Sequence, residues 1–229
     1  LLNKIVFFGT GNYYHSKLKN IIVPTGELFQ KINYKDLGKY DARPDDFLTK
    51  EELDFVVDYC VDAPYYYGEA DNSDTPVTGM VHNIWFDGMN EKDLSSERVP
   101  KNSVDDSTID TKGFYNLFAD KIAEKFPECD KKYIVRLYIN CFAPSENPYF
   151  HTDEDESVDA KTFLFYPTPG WDIDNGGETQ FVVDGSFYGI PPIQNRLVSF
   201  PASILHKATT YRNGYRFTVA IKYNFTERE

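Results

Sequence analysis

Ile134-Val135-Arg136-Leu137-Tyr138-Ile139-Asn140-Cys141-Phe142 alternates from end to end. Val135, Leu137, Ile139 and Cys141 make one apolar face; Arg136, Tyr138, Asn140 and Phe142 make a second, partly polar one. Side chains of a strand point alternately to its two faces. The segment therefore reads as a strand covered by helices on one side and lining a polar cavity on the other. Arg216-Phe217-Thr218-Val219-Ala220-Ile221-Lys222-Tyr223 repeats the pattern, with Arg216, Thr218, Ala220 and Lys222 sharing a face. Thr162-Phe163-Leu164-Phe165-Tyr166 is another such strand, and residues 178–183, 196–200 and 204–208 follow the same reading.

Upstream the pattern is helical. Thr49 followed by Glu52 is a capping-box signature, and Leu53, Val56, Val57 and Cys60 then recur at helical spacing. This predicts an amphipathic helix over 50–61. A second helix is expected over 111–126, with Phe114, Leu117, Phe118, Ile122 and Phe126 on its buried side and Pro127 stopping it. Short strands are read at 77–86, which contains His82, and at 27–34. His82 is taken as a packing or surface histidine and His15 as a solvated one. Residues 87–107 are polar without apolar periodicity, a long loop of the kind that serves as a lid or stays disordered. Two helices followed by a dense run of strands give a mainly β chain with flanking helices (α+β), organised as a double-sheet jelly roll. It is read as one domain, with residues 1–131 supplying support and lid loops and 132–225 the core.

The chain has 229 residues, 41% of them hydrophobic, with 17 Tyr and 18 Phe. That is enough to fill one sizeable core with an aromatic interior. Its longest apolar runs, such as Ile5-Val6-Phe7-Phe8, are far too short to span a bilayer, so no membrane partner is expected. No signal-like segment is read in it, and it begins at Leu1. A formal charge of −12 repels phosphate backbones and disfavours nucleic acid. Cys60, Cys129 and Cys141 are odd in number and lack metal-ligand spacing, which points to a reduced, cytoplasmic compartment.

Tyr149-Phe150-His151-Thr152-Asp153 carries the chemistry. Read as a strand, it sets His151 and Asp153 on one face. One histidine from across the barrel, His206, would complete two nitrogens and a carboxylate on one side of a metal. Three coordination positions then stay open, which suits non-heme Fe(II). The competing reading is an acidic loop, HTDEDE, that merely faces water; Asp155 is the second-choice carboxylate.

Taken in order, Tyr138-x-Asn140, His151-Thr152-Asp153, Thr162 to Tyr166, Gly176-Gly177-Glu178-Thr179, Arg196-Leu197-Val198-x-Phe200, His206 and Arg216-x-Thr218 resemble the Fe(II)/2-oxoglutarate-dependent dioxygenases. The prolyl 4-hydroxylase-like branch is the most similar. The resemblance covers about residues 132–225, with a weaker likeness in the FLTKEEL phrase of the first helix. It implies Fe(II) held by His151, Asp153 and His206, with 2-oxoglutarate and O2 as cosubstrates and ascorbate as an accessory reductant. Arg216, ten residues after His206, would grip the far carboxylate of 2-oxoglutarate. Its inward parity agrees, since a buried guanidinium needs an anion; an internal salt bridge is the alternative. Tyr166 and Thr218 would donate hydroxyls to the same carboxylate. One departure from the branch stands at Cys141 and Phe142, where a tyrosine is expected; Asn140 and Tyr138 are read as supplying that polar contact instead. Asp153 also fills the slot that halogenating members leave small, which favours hydroxylation.

Gly176-Gly177 would allow close backbone approach near the site. Tyr149 and Trp171 are read as an aromatic wall for substrate. That substrate is expected to be a prolyl or other amino-acid residue in a peptide, with a free amino acid or small metabolite as the alternative. A non-catalytic binding protein and a nucleic-acid demethylase on the same fold are the competing functions. Oligomeric state is not legible.

Overall fold

In a computed structural model the described residues are 47–226, apart from 69, 72, 73, 90–109 and 145, together with the backbone of 5–8 and 21–22. His15, the strand expected at 27–34 and most of the loop at 87–107 lie outside them.

The strands are β1 (Ile5–Phe8), β2 (Ile21–Ile22), β3 (Tyr66–Tyr67), β4 (Met80–Phe86), β5 (Ile134–Phe142), β6 (Ala160–Tyr166), β7 (Thr179–Val183), β8 (Ser186–Ile190), β9 (Arg196–Pro201), β10 (His206–Ala208) and β11 (Arg216–Asn224). Among the described residues, one sheet runs β2-β1-β9-β6-β11-β5-β4-β3 and a smaller one β10-β7-β8. Every pairing is antiparallel except β1 with β2. The expected jelly roll is present, with helices α1 (Lys50–Asp62) and α2 (Thr111–Lys125) on the outer face of the large sheet. β8 was not anticipated from the sequence, because Ser186 and Phe187 face solvent and leave no periodic burial.

Helix α1 starts as its sequence dictates. Thr49 Oγ1 accepts from the Glu52 amide, and the Glu52 carboxylate accepts from the Thr49 amide. Such a cap contributes roughly 0.5–2 kcal/mol. Leu53, Val56, Tyr59 and Cys60 are the buried face. On α2 the buried set is Phe114, Tyr115, Phe118, Ala119 and Ile122, while Leu117 and Phe126 pack at its margin. These side chains meet Leu137 and Ile139 of β5, Phe163 and Phe165 of β6, Leu197 of β9 and Val219 and Ile221 of β11. Phe118 lies 5.1 Å from Phe114 and 5.3 Å from Phe165, ring to ring. Each fully buried phenylalanine contributes about 1.5–3 kcal/mol by area.

The other faces of the same strands point between the sheets. Tyr138, Leu164, Val198, Phe200 and Ala220 pack there against Phe181 and Ile190 of the small sheet. Toward the ends of β5 and β11 this layer opens into a cavity, and parity places Arg136, Asn140, Arg216 and Lys222 inside it as expected. The reading needs correction at Val135. Arg136 pairs with Lys222, but the next pair is Ile134 with Tyr223. This bulge leaves Val135 out of step, so Ile134 joins the helix-facing core instead.

Candidate metal centre

Two segments remote in sequence are tied by a single bridge. The His151 amide donates to the His206 carbonyl at 3.0 Å, and the His206 amide returns the bond at 2.9 Å. Residues 149–153 are therefore not the strand that the sequence suggested. After the bridge the chain turns, and the Asp153 and Glu154 amides both donate to the Ala202 carbonyl. That turn brings the Asp153 side chain back beside both imidazoles. His206 is carried by β10, which also pairs with β7.

The ligating atoms of His151, Asp153 and His206 all lie within 4.8 Å of one another. Both imidazoles are turned the same way. His206 Nδ1 lies 2.8 Å from the Ile204 carbonyl, and His151 Nδ1 3.1 Å from the Tyr149 carbonyl. Donation from Nδ1 leaves each Nε2 as the lone-pair nitrogen. His151 Nε2 is 3.8 Å from Asp153 Oδ1, and His206 Nε2 is 3.8 Å from Asp153 Oδ2. Burial is the main reason that His206 is pushed down to about 4, so it is neutral near pH 7. Burial alone would raise the Asp153 carboxyl, but Lys222 and the two imidazoles hold it well below the usual carboxylate range. Two imidazole nitrogens and one carboxylate on one side form a donor set that fits a divalent metal such as Fe(II). Asp155 is exposed and outside this cluster.

Three groups that brace the triad were not assigned this role from the sequence. Thr162 Oγ1 donates to Asp153 Oδ2 at 2.6 Å, and Lys222 Nζ lies 2.7 Å from Asp153 Oδ1. Asp71, from the loop at 68–76, sets Oδ1 at 3.5 Å from His151 Nδ1. Its Oδ2 accepts from the Tyr149 amide and from Thr78 Oγ1, which fastens that loop to the ligand segment.

The cavity beside the triad encloses about 250 Å³. Arg216 is 2% exposed. Its Nε donates to the Gly177 carbonyl at 2.8 Å, Nη1 to Thr218 Oγ1 at 2.7 Å and Nη2 to Thr179 Oγ1 at 3.1 Å. A guanidinium has five N–H groups, so two remain after these bonds. Among the described residues no carboxylate lies within ion-pair distance of it. The internal salt bridge weighed from the sequence is thus not formed there. Gly177 reaches this contact with φ +79°, and a Cβ on it would stand 2.7 Å from Tyr211 Cδ2 and 3.3 Å from Arg216 Cδ. The close approach expected of the glycine pair has a physical reason in that crowding.

Tyr166 is placed differently from expectation. Its hydroxyl donates to Thr179 Oγ1 at 2.7 Å, and it is Thr179 that lines the cavity. Thr179 accepts from both Tyr166 and Arg216, so its own proton is free to point inward; Thr218 is primed in the same way. Tyr138 and Asn140 line the cavity as read from β5. Tyr149 and Trp171 do not. Tyr149 is 43% exposed, and the Trp171 indole donates to the Gly176 carbonyl beside its own turn. His82 lies apart from the cavity, between the Tyr59 hydroxyl and the Pro64 carbonyl.

Comparison with known proteins finds no matching family model and no matching curated protein. Solved structures do match. A 2OG-Fe(II) oxygenase family oxidoreductase from Burkholderia pseudomallei aligns at TM-score 0.55 and 16% identity, covering 78% of this chain and 81% of that one. A prolyl-4-hydroxylase from Pseudomonas putida aligns at 0.53 and 11%, covering 85% and 97%. A prolyl hydroxylase from Trichoplax adhaerens, in complex with a hypoxia inducible factor oxygen degradation domain peptide fragment, aligns at 0.56 and 16%, covering 78% and 80%. At these identities the likeness is one of fold: this chain has the jelly-roll architecture of 2OG-Fe(II) oxygenases and prolyl hydroxylases.

Proposed function

We propose that this protein is an Fe(II)- and 2-oxoglutarate-dependent dioxygenase that hydroxylates an unactivated C–H bond. One observation carries the reading. A His–Asp–His donor set and a fully buried guanidinium with two N–H groups to spare line the same small cavity. Either alone has other uses. Together they fit a diacid that binds a metal at one end and an arginine at the other.

His151, Asp153 and His206 would hold the iron. Bound there with the 2-oxo acid, it would supply oxygen activation and C–H oxidation. Arg216 would fix the distal carboxylate bidentately, with the Thr179 and Thr218 hydroxyls completing its hydrogen bonds. Tyr166 acts behind Thr179 as a positioning residue. Leu164 and Phe142 supply apolar wall that limits water around the reacting groups. A prolyl or other amino-acid residue in a peptide is the substrate class proposed. It is supported by the fold shared with prolyl hydroxylases, one of them peptide-bound. The chain is read as one domain, with Ala70, Asp71 and Thr78, which line the cavity, on the side where substrate would enter.

The test is anaerobic loading with Fe(II), then O2 and 2-oxoglutarate, with succinate as the readout. Succinate should form in wild type and be lost in His151→Ala and His206→Ala. Retained turnover in either variant would overturn the site. Binding of Mn(II) and 2-oxoglutarate without turnover would favour a non-catalytic binding protein.

A further inference from the structure

The two histidines of the triad are held by different means. His206 is buried, with Phe181 stacked on it at 5.9 Å and Phe200 edge to face at 4.7 Å, ring to ring. The Ile204 carbonyl then fixes its Nδ1. Apart from His206, no aromatic ring of the described residues packs on His151, whose side chain is 19% exposed. Packing therefore settles the orientation of one ring and leaves the other to polar contacts. Asp71 enters those contacts at two points. Its Oδ1 stands 3.5 Å from His151 Nδ1. Its Oδ2 accepts from the amide of Tyr149, the residue whose carbonyl lies 3.1 Å from that same Nδ1. Thr78 Oγ1 also donates to Oδ2, at 3.0 Å.

The Asp71 side chain is only 11% exposed, and among the described residues no lysine or arginine stands within ion-pair distance of it. The one basic side chain within that distance is the His151 imidazole. An enclosed carboxylate is costly without a charged or strongly donating partner. A metal on Nε2 supplies one, because a metal-bound imidazole donates more strongly from its other nitrogen, and most strongly to a carboxylate. We infer that Asp71 is a positioning residue for the metal, and that through it the metal and the cavity wall at Asp71 and Thr78 stabilise one another. This rests on the reading of His151, Asp153 and His206 as a metal site. The coupling is reciprocal: whatever factor the Asp71 contact adds to metal affinity, bound metal adds to the hold of Asp71 on the ligand segment. Asp71 and Thr78 both line the cavity, so the metal completes part of the wall that a substrate would meet.

The experiment uses Zn(II), which is redox-inert and diamagnetic. Its affinity is measured by competition with a chromophoric chelator, and hydrogen exchange of the Tyr149 amide by NMR, in wild type and in Asp71→Asn. Asparagine keeps the shape and still offers an oxygen to the Tyr149 amide, so the variant removes chiefly the charge beside Nδ1. Asp71→Asn should bind Zn(II) about tenfold or more weakly than wild type; a smaller loss overturns the inference. In wild type, Zn(II) should slow exchange of the Tyr149 amide by a similar factor, and unchanged exchange overturns the coupling. A merely structural Asp71 would lower the Tm of the metal-free variant and leave Zn(II) affinity untouched, which also overturns it. Should Asp71→Asn fail to fold, the exchange measurement on wild type decides alone. If wild type binds Zn(II) no more tightly than His206→Ala, the metal site itself falls. If it binds more tightly and Asp71→Asn matches it, the metal site stands and only the role of Asp71 is lost.

Discussion

Replacing Arg216 with methionine removes the cation at the closed end of the cavity while keeping an unbranched side chain. The guanidinium already spends three N–H groups on Gly177, Thr218 and Thr179, which leaves two for a ligand carboxylate. A hydrogen bond to a charged group contributes about 1.5–3 kcal/mol. Losing two of them should weaken 2-oxoglutarate binding by roughly 3–6 kcal/mol, or about two to four orders of magnitude. Arg216→Lys keeps the charge but not the planar fork, and its Nζ cannot hold Gly177 and a bidentate carboxylate together; about tenfold or more should still be lost. The assay is calorimetric titration of Mn(II)-loaded protein with 2-oxoglutarate and with 2-oxopentanoate, which lacks the distal carboxylate. Wild type should prefer the diacid strongly, and Arg216→Met should bind the two about equally. Thermal melting of each variant checks that the β11 core is intact. A methionine variant that binds 2-oxoglutarate within threefold of wild type, or keeps its preference for the diacid, would refute the assignment.

Two other perturbations follow from geometry away from the metal. Gly177→Ala forces a side chain into a left-handed backbone and against Tyr211 and Arg216; the backbone alone costs about 1–2 kcal/mol, a drop of roughly 2–8 °C in Tm for a chain of this size. It should also weaken 2-oxoglutarate by displacing the arginine, and an unchanged Tm together with unchanged affinity would contradict this. His82 has its pKa lowered, with burial as the main cause and the Pro64 carbonyl acting against it. Its neutral form is therefore favoured in the fold, so the stability it contributes is complete above its unfolded value and is lost as pH falls through its folded one. Urea unfolding of the metal-free protein at pH 7.5 and pH 5 should show a smaller acid loss in His82→Gln than in wild type. Equal losses would show that protonating His82 costs the fold nothing.

Much of this site was legible from strand parity, and the rest required register. Arg216, Thr218 and Lys222 recur at every second residue of one strand, so their common face follows from the pleat alone. The same argument failed at Val135, because a bulge depends on how β5 meets β11 and not on either strand by itself. It failed again at 149–153, where one bridge and a turn do the work expected of a strand. Tyr166 shows the subtler limit. Its inward parity was right, yet its hydroxyl stops at Thr179, since a neighbouring sheet had already placed an acceptor 2.7 Å away. Lys222 was read as facing the cavity without a role, because its partner Asp153 comes from a loop whose path no periodicity encodes. Parity assigns a face, whereas a role needs the partner, and partners here come from loops and from the opposite sheet. The residues for which the sequence suggests a role are those whose chemistry allows few partners, such as a buried arginine that must find an anion. Threonine, tyrosine and lysine accept many partners, so their roles waited for the fold.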